Sequence, residues 1–344
     1  MSYAAQSYHA VGRALAERLQ AQEAALPLAN GECRSRVWLQ GRPTGRVALF
    51  FHGFTAGPYQ FVPLAEQLYR AGYTVLVPLM PGHGRLGPWG PERVPPLPTD
   101  PAAYQQFGLE WLTIARSLGT RIFVGGLSGG GTLAAWLATA RSRDIERVIL
   151  FAPYLSSSSK VVDVMVRKLG GYFAWGPPPP GRQGLPYGYP GFGVPALATL
   201  LRLGDEVLRR AMRQPVAPLF VISSESDRAV GNFDHVALFE RALQRQPLCW
   251  YLRFNRVLDI PHTMMTRAEG NAYEPLLATM TRAFFESQLT WAEAIAIAAK
   301  LGPDCTFPQA VTALGLGNRV SPEMAATMTL FDKRSMLQQG RRRG

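Results

Sequence analysis

The stretch RIFVGGLSGGGTLAAWLATAR, residues 121–141, decides how this sequence folds. It begins with an apolar run typical of a buried strand, passes through Gly126-Leu127-Ser128-Gly129-Gly130, and ends in a pattern typical of a helix. A serine on so tight a strand-to-helix turn has a cramped backbone, which exposes its hydroxyl oxygen, and small residues two positions to either side leave room for neighbouring backbone. The flanking patterns therefore predict a nucleophile at Ser128, whereas the same five residues in another context would indicate only a glycine-rich turn.

From about residue 46 onward, short apolar runs alternate with helical patterns. This alternation is typical of parallel strands joined by crossover helices, and runs without polar alternation are typical of strands covered on both faces. The sequence therefore predicts an α/β fold with a mostly parallel central sheet flanked by helices. The predicted strands are residues 46–51, 73–80, 121–127, 147–155, 217–223 and 248–257, with an earlier strand, 34–39, expected to form a hairpin with the first of them.

Two regions interrupt this alternation and define the expected domains. Residues 156–213 contain a serine run, an amphipathic piece and a passage rich in proline, glycine and aromatic residues, a composition that favours a cap, or lid, over the mouth of a pocket. Residues 289–344 predict short helices to which the sequence assigns no function. We therefore expect an α/β core from residues 1–155 and 214–288, a cap insertion from 156–213, and a C-terminal helical extension from 289–344.

A serine hydroxyl is a weak nucleophile at neutral pH, so the site needs a base and an acid that orients the base. On a fold of this kind the chain order is serine, acid, histidine. Three of the five histidines precede Ser128 and His235 lies in a helical pattern, which leaves His262, in a predicted loop after the last strand. The acid is expected after the preceding strand, where we choose Asp227 and keep Glu225 as the alternative.

An acyl-transfer site must also stabilise a negatively charged oxygen, and backbone N–H groups are suitable donors. One donor is expected from Gly129, the residue after the nucleophile. The other is expected from Phe54, because the stretch VALFFHGFTAGP places a loop directly after an early strand and Gly53 permits close approach. His52 is expected to orient this loop and not to act as a second base.

Composition excludes several other classes of protein. The chain has 344 residues, 47% apolar and 17% charged, and no apolar stretch approaches the length of a membrane span. Three widely separated cysteines predict neither a disulfide framework nor a metal site, and we expect no cofactor. The net charge of +12 comes mostly from scattered arginines, with a run only at residues 340–344, so we expect no nucleic-acid binding.

The N-terminal residues predict a location. The first thirty residues lack the basic-then-apolar order of a secretory signal, which predicts a cytoplasmic protein. The positive charge is compatible with peripheral contact to anionic lipid, and without a long apolar stretch we expect no stable insertion into a membrane. The sequence carries no signal for the oligomeric state.

Taken together, these residues resemble the monoglyceride-lipase and carboxylesterase branch of the α/β-hydrolases, which is also classed with serine aminopeptidases. The matching pieces span about residues 46–288 and are His52-Gly53-Phe54-Thr55, Pro81-Gly82-His83-Gly84, the turn at Ser128, Asp227 and His262. The resemblance implies hydrolysis of carboxylic esters, such as monoacylglycerols or short to medium acyl esters, without a cofactor and under an inserted cap. It also implies Ser128, Asp227 and His262 as the catalytic residues, with the amides of Phe54 and Gly129 as the oxyanion hole.

The sequence departs from that branch at one position of the site. A bulky apolar residue usually follows the nucleophile, whereas Gly129 stands here, which predicts a looser turn. Other acyl chemistry stays open as an alternative, because a thioesterase, acyltransferase, aminopeptidase or perhydrolase could use the same side chains. A non-catalytic lipid-binding protein is the alternative from another class.

Overall fold

A computed structural model of the protein describes residues 3–176, 187–333 and 336. The proline-rich passage of the predicted cap, at 177–186, and the arginine run at 340–344 lie outside these residues. Within them the chain forms nine strands, which are β1 (Arg36–Trp38), β2 (Arg46–Phe51), β3 (Thr74–Val77), β4 (Arg121–Leu127), β5 (Arg147–Phe151), β6 (Tyr172–Ala174), β7 (Gly191–Gly193), β8 (Leu219–Ser224) and β9 (Trp250–Phe254).

Eleven α-helices accompany these strands in the described residues. They are α1 (Tyr3–Ala24), α2 (Val62–Arg70), α3 (Pro101–Leu118), α4 (Ser128–Ala140), α5 (Lys160–Lys168), α6 (Val194–Arg213), α7 (Asn232–Leu243), α8 (Pro275–Glu286), α9 (Trp291–Lys300), α10 (Phe307–Ala313) and α11 (Met324–Met328). Local sequence explains several of their ends. For example, α3 starts after Asp100, whose side chain accepts the Ala102 N–H at 2.9 Å, and Pro101 occupies its first position.

Seven strands form the central sheet in the order β1-β3-β2-β4-β5-β8-β9. All neighbouring pairs are parallel except β1 with β3. Every residue of β3, β5 and β8 is buried, which requires cover on both faces of the sheet. The predicted α/β class, with a mostly parallel sheet flanked by helices, is confirmed.

The predicted hairpin between residues 34–39 and 46–51 is wrong. β1 pairs antiparallel with β3, with Val37 opposite Leu76, and makes no ladder with β2. The reason is that both edges of β2 are occupied by parallel neighbours, β3 on one side and β4 on the other. The strand is therefore added at the edge of the sheet, where β3 still has free backbone groups.

The helices form two packed groups. Helix α2 contacts α8, and α8 contacts α11, while α3, α4, α6 and α7 pack in series, with α1 against α3. Aromatic side chains fill the space between sheet and helices, as in the pair Phe123–Phe285, whose ring centroids lie 4.6 Å apart. The sheet therefore lies between helices, and loops follow the carboxyl ends of its strands.

The segment 156–213, which we call the cap segment, leaves the sheet after β5 and returns before β8. Its described part consists of α5, the two-stranded ribbon β6-β7 and the long helix α6, which contacts α4 and α7. The apolar side of α6 is buried against the core. The cap segment is an insertion between two adjacent strands of the sheet, and we retain the division into core, cap and extension as a proposal.

The C-terminal helices α9, α10 and α11 follow the last core helix. Helix α9 begins with a capping box, in which Thr290 and Glu293 bond to each other's backbone N–H groups. Phe331 stacks on Phe220 of β8 with ring centroids 6.1 Å apart, so this region packs directly on the core. No helix among the described residues combines the length and the apolar character needed to cross a membrane.

Candidate active site

Ser128 lies on the sharp turn between β4 and α4, with its backbone in the left-handed region at φ +52°. A Cβ atom added to Gly130 would lie 2.2 Å from the Phe51 carbonyl oxygen, and one added to Gly126 would lie 2.3 Å from the Gly130 oxygen. No side chain fits in these spaces, since both clashes are with backbone. The turn therefore has the strained geometry that the flanking sequence predicts.

The turn is tightly packed at Gly129, and the expectation of a looser turn there is wrong. A Cβ atom at Gly129 would lie 2.8 Å from Leu200 Cδ1 and 3.2 Å from Phe54 Cβ. Leu200 belongs to α6 of the cap segment and is fully buried. A side chain from the cap thus occupies the volume that a bulky residue after Ser128 would otherwise fill.

Three of the predicted residues, distant in sequence, form one chain of hydrogen bonds. His262 lies in the loop after β9, and its Nε2 atom is 2.9 Å from Ser128 Oγ. Its Nδ1 atom is 2.7 Å from Asp227 Oδ2. When the imidazole is neutral, a proton on Nδ1 bonds to the carboxylate and leaves Nε2 free to accept the proton of the serine hydroxyl.

The loop after β8 holds the Asp227 carboxylate in place. Its second oxygen, Oδ1, accepts the backbone N–H groups of Ala229 at 2.8 Å and Val230 at 3.2 Å. Burial by itself would raise the pKa of Asp227, but His262 and these N–H groups outweigh burial and lower the pKa. The group is therefore an anion at neutral pH.

The pKa of His262 depends on burial and on its contact with Asp227. Burial by itself lowers the pKa of the imidazole, but the charge and the hydrogen bond of Asp227 outweigh burial and raise the pKa above its ordinary value of 6.5. Asp227 thus stabilises the imidazolium that forms when His262 takes up a proton.

The structure separates the alternative residues from this chain of hydrogen bonds. The carboxylate of Glu225, the alternative acid, accepts the Arg256 N–H at 3.1 Å. His235 lies on α7 with its Nε2 atom 2.7 Å from the Pro153 carbonyl oxygen, and burial lowers its pKa to about 4. Of the two acids weighed, it is Asp227 that contacts His262.

The two predicted oxyanion donors lie side by side. The amide nitrogen of Phe54 is 3.6 Å from the point where a Cβ atom of Gly129 would lie. The N–H of Gly129 is in the first turn of α4 and has no acceptor within its own helix. Among the described residues, the Phe54 N–H forms no backbone hydrogen bond. Both donors are therefore free to bind an oxygen next to Ser128.

His52 holds the peptide that carries the Phe54 N–H. The His52 Nε2 atom accepts the Met80 N–H at 3.0 Å, so the ring proton lies on Nδ1 and is donated to the Gly53 carbonyl oxygen at 3.0 Å. Burial, together with the neighbouring His83, lowers the pKa of His52 well below 6.5, so the ring is neutral. The Gly53 carbonyl and the Phe54 N–H belong to one peptide plane, and His52 therefore sets the direction of that N–H.

A cavity of about 760 Å³ opens beside Ser128. The cap segment supplies most of its apolar wall, and Thr263, Arg228 and two serines of the cap lie among its polar lining residues. The apolar lining includes Phe54, Leu127, Tyr154, Val162, Val166, Phe173, Trp175, Tyr189, Phe192, Val194 and Leu197. The cavity can therefore take an apolar group next to the serine hydroxyl.

The cap segment also contacts the loop of the proposed oxyanion hole. The Tyr189 N–H donates to the Thr55 carbonyl oxygen at 2.8 Å, and the Trp175 indole N–H donates to Thr55 Oγ1 at 3.0 Å. Thr55 has a positive φ of +64°. The residue after Phe54 is therefore strained and is held from the cap side.

Sequence reasoning missed a buried polar pair behind this loop. Gln60 is fully buried and Glu269 is 3% exposed, and Gln60 Nε2 donates to Glu269 Oε1 at 2.8 Å. Burial raises the pKa of Glu269 to about 7, although hydrogen bonds favour its charged form. No motif marks either residue, since each lies in a turn outside the recognised pieces and the two meet only in the fold.

Across residues 3–176 and 187–333, no group of three or more histidine, cysteine, aspartate or glutamate residues could hold a metal ion. The three cysteines are free, and Cys33 and Cys249 are buried.

Part of the chain is similar in sequence to known proteins. A family model described as serine aminopeptidase, S33, matches residues 42–178, a range that contains Phe54 and the turn at Ser128. A thermostable monoacylglycerol lipase from Bacillus sp. (strain H-257) is 40% identical over 101 residues, which is 29% of this chain. The match covers 37% of the length of that relative.

Solved structures show the same fold at low sequence identity. A structure reported for LipS and LipT, two metagenome-derived lipolytic enzymes, has a TM-score of 0.56 and 19% identity, covering 74% of this chain and 98% of its own. The Paleococcus ferrophilus monoacylglycerol lipase has a TM-score of 0.52 and 18% identity, covering 64% and 88%. The chain therefore has the α/β-hydrolase fold of these solved structures, and it is similar to the family model over residues 42–178 and to the bacterial monoacylglycerol lipase over 101 residues.

Proposed function

We propose that this protein is a serine hydrolase that cleaves carboxylic esters of apolar acyl groups. The observation that carries the proposal is the continuous contact from Ser128 through His262 to Asp227 at the side of a mostly apolar cavity. Acyl transfer needs a hydroxyl that is hydrogen-bonded to a base, a group that orients this base, and two free N–H donors. The relative named as a monoacylglycerol lipase supports the same class of substrate.

The proposed reaction proceeds in two halves. His262 Nε2 takes the proton of the Ser128 hydroxyl as Oγ bonds to the acyl carbon, and the carbonyl oxygen becomes an oxyanion bound by the N–H groups of Phe54 and Gly129. The bond to the alcohol oxygen then breaks, and His262 gives its proton to the departing alcohol. In the second half, His262 takes a proton from water as water attacks the acyl-enzyme, and the acid leaves as the proton returns to Ser128.

The cavity supports the choice of an acyl substrate with an apolar chain. Its walls near Ser128 carry Leu127 and Phe54, and its cap side carries Phe192, whose ring centroid lies 5.1 Å from that of Phe54. At about 760 Å³, the volume suits a drug-sized ligand. We therefore propose monoacylglycerol-like esters, or esters of short to medium acyl chains, as substrates.

The surface of the cap segment supports peripheral contact with lipid. Val161, Val164, Leu169 and Phe173 expose apolar side chains on the cap, which fits peripheral contact with lipid. The cytoplasmic location, the absence of a cofactor and the absence of nucleic-acid binding stay predictions from the sequence.

Covalent labelling tests the proposed nucleophile. We expect a fluorophosphonate probe to modify Ser128, with the modified peptide identified by mass spectrometry. Ser157 and Ser158 serve as internal controls and should stay unmodified, because they line the same cavity and neither side chain is hydrogen-bonded to a histidine among the described residues. Folded protein that carries no label on Ser128 would contradict the proposal.

A substrate panel tests the proposed class of reaction. p-Nitrophenyl esters of increasing chain length, acyl-CoAs and aminoacyl amides would be compared at equal enzyme concentration. We expect the esters to have the highest kcat/KM. A preference for acyl-CoAs or amides would move the assignment to thioesterase or aminopeptidase chemistry, and silence on all three with a retained lipid would favour a binding protein.

The pH dependence of kcat/KM follows from the pKa of His262. The neutral imidazole accepts the serine proton and the imidazolium does not, so activity falls as pH falls through this pKa. Because Asp227 raises the pKa above 6.5, we expect the acid limb of the profile to have its midpoint above pH 6.5. Initial rates from pH 5 to 9 check this, and a midpoint below 6.5 would contradict the raised pKa that we attribute to Asp227.

A further inference from the structure

A buried carboxyl group lies behind the proposed oxyanion hole and takes no part in the contacts of Ser128 with His262 and Asp227. Glu269 is in the loop between His262 and α8 and is 3% exposed. It accepts three hydrogen bonds, from Gln60 Nε2 at 2.8 Å, from the Tyr59 hydroxyl at 3.1 Å and from the Thr266 hydroxyl at 3.0 Å. Two of these donors belong to the turn that follows the Phe54 loop, so the carboxylate connects that turn to the His262 loop.

The side chain of Gln60 links Glu269 to the Phe54 loop. Its Oε1 atom accepts the Gly53 N–H at 2.8 Å, while its Nε2 atom donates to Glu269. A side-chain amide has one accepting end and one donating end. A carboxylate facing Nε2 therefore determines that Oε1 faces Gly53, because the flipped amide would place two oxygens together at Glu269 and two N–H groups together at Gly53.

Gly53 is consequently held at both of its backbone polar groups. Its N–H is bound by Gln60 and its carbonyl oxygen by His52 at 3.0 Å. There is little spare room, since a Cβ atom on Gly53 would lie 3.0 Å from Gln60 Oε1 and 3.3 Å from Leu127 Cδ2. The dihedral angles of Gly53 set the direction of the next N–H along the chain, which belongs to Phe54.

We propose that Gln60 and Glu269 are positioning residues of the oxyanion hole. The Glu269 carboxylate orients the Gln60 amide, and the Gln60 amide holds Gly53 so that the Phe54 N–H points at the oxygen that becomes negative in the transition state. This inference rests on the proposed function of Ser128. Because that negative charge exists only in the transition state, loss of either residue should lower kcat with little change in KM.

The test uses methionine variants of the full chain, which remove the polar atoms and keep most of the volume. Losing an oxyanion donor typically costs about 10²–10³ in kcat, and misdirecting one costs less. We therefore expect Gln60→Met and Glu269→Met each to lower kcat about 10- to 100-fold on a p-nitrophenyl ester at pH 8, with KM changed less than about threefold. kcat is expressed per active site, which fluorophosphonate labelling counts.

The double variant and a conservative variant distinguish positioning from general damage. Gln60→Met with Glu269→Met should have no lower kcat than the worse single variant, since both act through the same hydrogen bond to Gly53. Glu269→Gln should retain kcat within about fivefold, because its amide oxygen can still accept from Gln60 and Tyr59. Glu286→Met is the matched control, since Glu286 accepts from the Tyr73 hydroxyl away from the site, and should keep kcat within about twofold.

The inference is overturned, while the proposed function stands, by an active wild type whose Gln60→Met variant keeps kcat within about twofold, or by losses that multiply in the double variant. The inference is also overturned if a variant has fewer sites that react with the fluorophosphonate probe but an unchanged kcat per labelled site, because such a result indicates a merely structural role. If the Glu269→Met variant does not fold, the kcat of the Gln60→Met variant alone tests the inference. A wild type that neither labels at Ser128 nor hydrolyses esters rejects the proposed function, and this inference with it.

Discussion

Replacing Ser128 with alanine is expected to lower kcat for ester hydrolysis by about 10⁶, to the level that the oxyanion donors and substrate binding sustain without a nucleophile. The variant removes the oxygen that lies 2.9 Å from His262 Nε2 and leaves the imidazole with no proton to accept. Stability should change little, because the hydroxyl contacts His262 at the wall of the cavity and the strained backbone is the same. Initial rates with a p-nitrophenyl ester, and melting temperatures, measure the two effects separately.

Ser157→Ala is the matched control for this experiment. Ser157 lines the same cavity, and its hydroxyl contacts the Tyr154 hydroxyl at 2.9 Å. We expect its kcat to stay within about threefold of wild type. A Ser128→Ala variant that retains more than a small percentage of activity, with pure and folded protein, would show that another group performs the attack.

Changing Asp227 to asparagine is expected to lower kcat by about 10⁴, the size seen for the same change in another serine-hydrolase triad. The loop after β8 determines how the new side chain sits. The Ala229 and Val230 N–H groups require an acceptor, so they bind the amide oxygen and turn its NH₂ group toward His262 Nδ1. That NH₂ group donates, so Nδ1 must accept, and the ring proton moves to Nε2, where it prevents uptake of the serine proton.

Glu225→Gln provides the comparison for Asp227→Asn. Glu225 lies two residues before the proposed acid, but its carboxylate is directed away from His262 and binds the Arg256 N–H. We therefore expect the Glu225→Gln variant to keep kcat within about threefold of wild type. Kinetics of both variants, measured with melting temperatures, rank the two acids. A large loss in Glu225→Gln with little effect in Asp227→Asn would reverse their assignment.

The fold class and the members of the proposed triad could be predicted because their signals are local. The turn at Ser128 requires glycine at positions 126 and 130, since a Cβ atom at either position would clash with backbone. The apolar runs mark buried strands whatever their neighbours are, and the order of serine, acid and histidine left one histidine after the last strand. The structure then brings Ser128, His262 and Asp227 into hydrogen-bond contact.

The remaining features depend on contacts between distant segments, which no local pattern reports. The partner of β1 was decided by which edge of the sheet was free, and β2 had no edge left. The space beside Gly129 was decided by Leu200, which the cap brings down against the turn. Gln60 and Glu269 are ordinary polar residues in the sequence, and only burial against each other makes their orientation specific.

By itself, therefore, the sequence determined the class of fold, the strained turn and the residue types from which an acyl-transfer site can be built, because each of these depends on local sterics and hydrophobic pattern. The tertiary structure decided which edge of the sheet accepts β1, how the cap packs on the turn and which buried groups hold the Phe54 loop. The physical reason is that these last choices are made by shape and hydrogen-bond satisfaction between segments that are far apart in the chain.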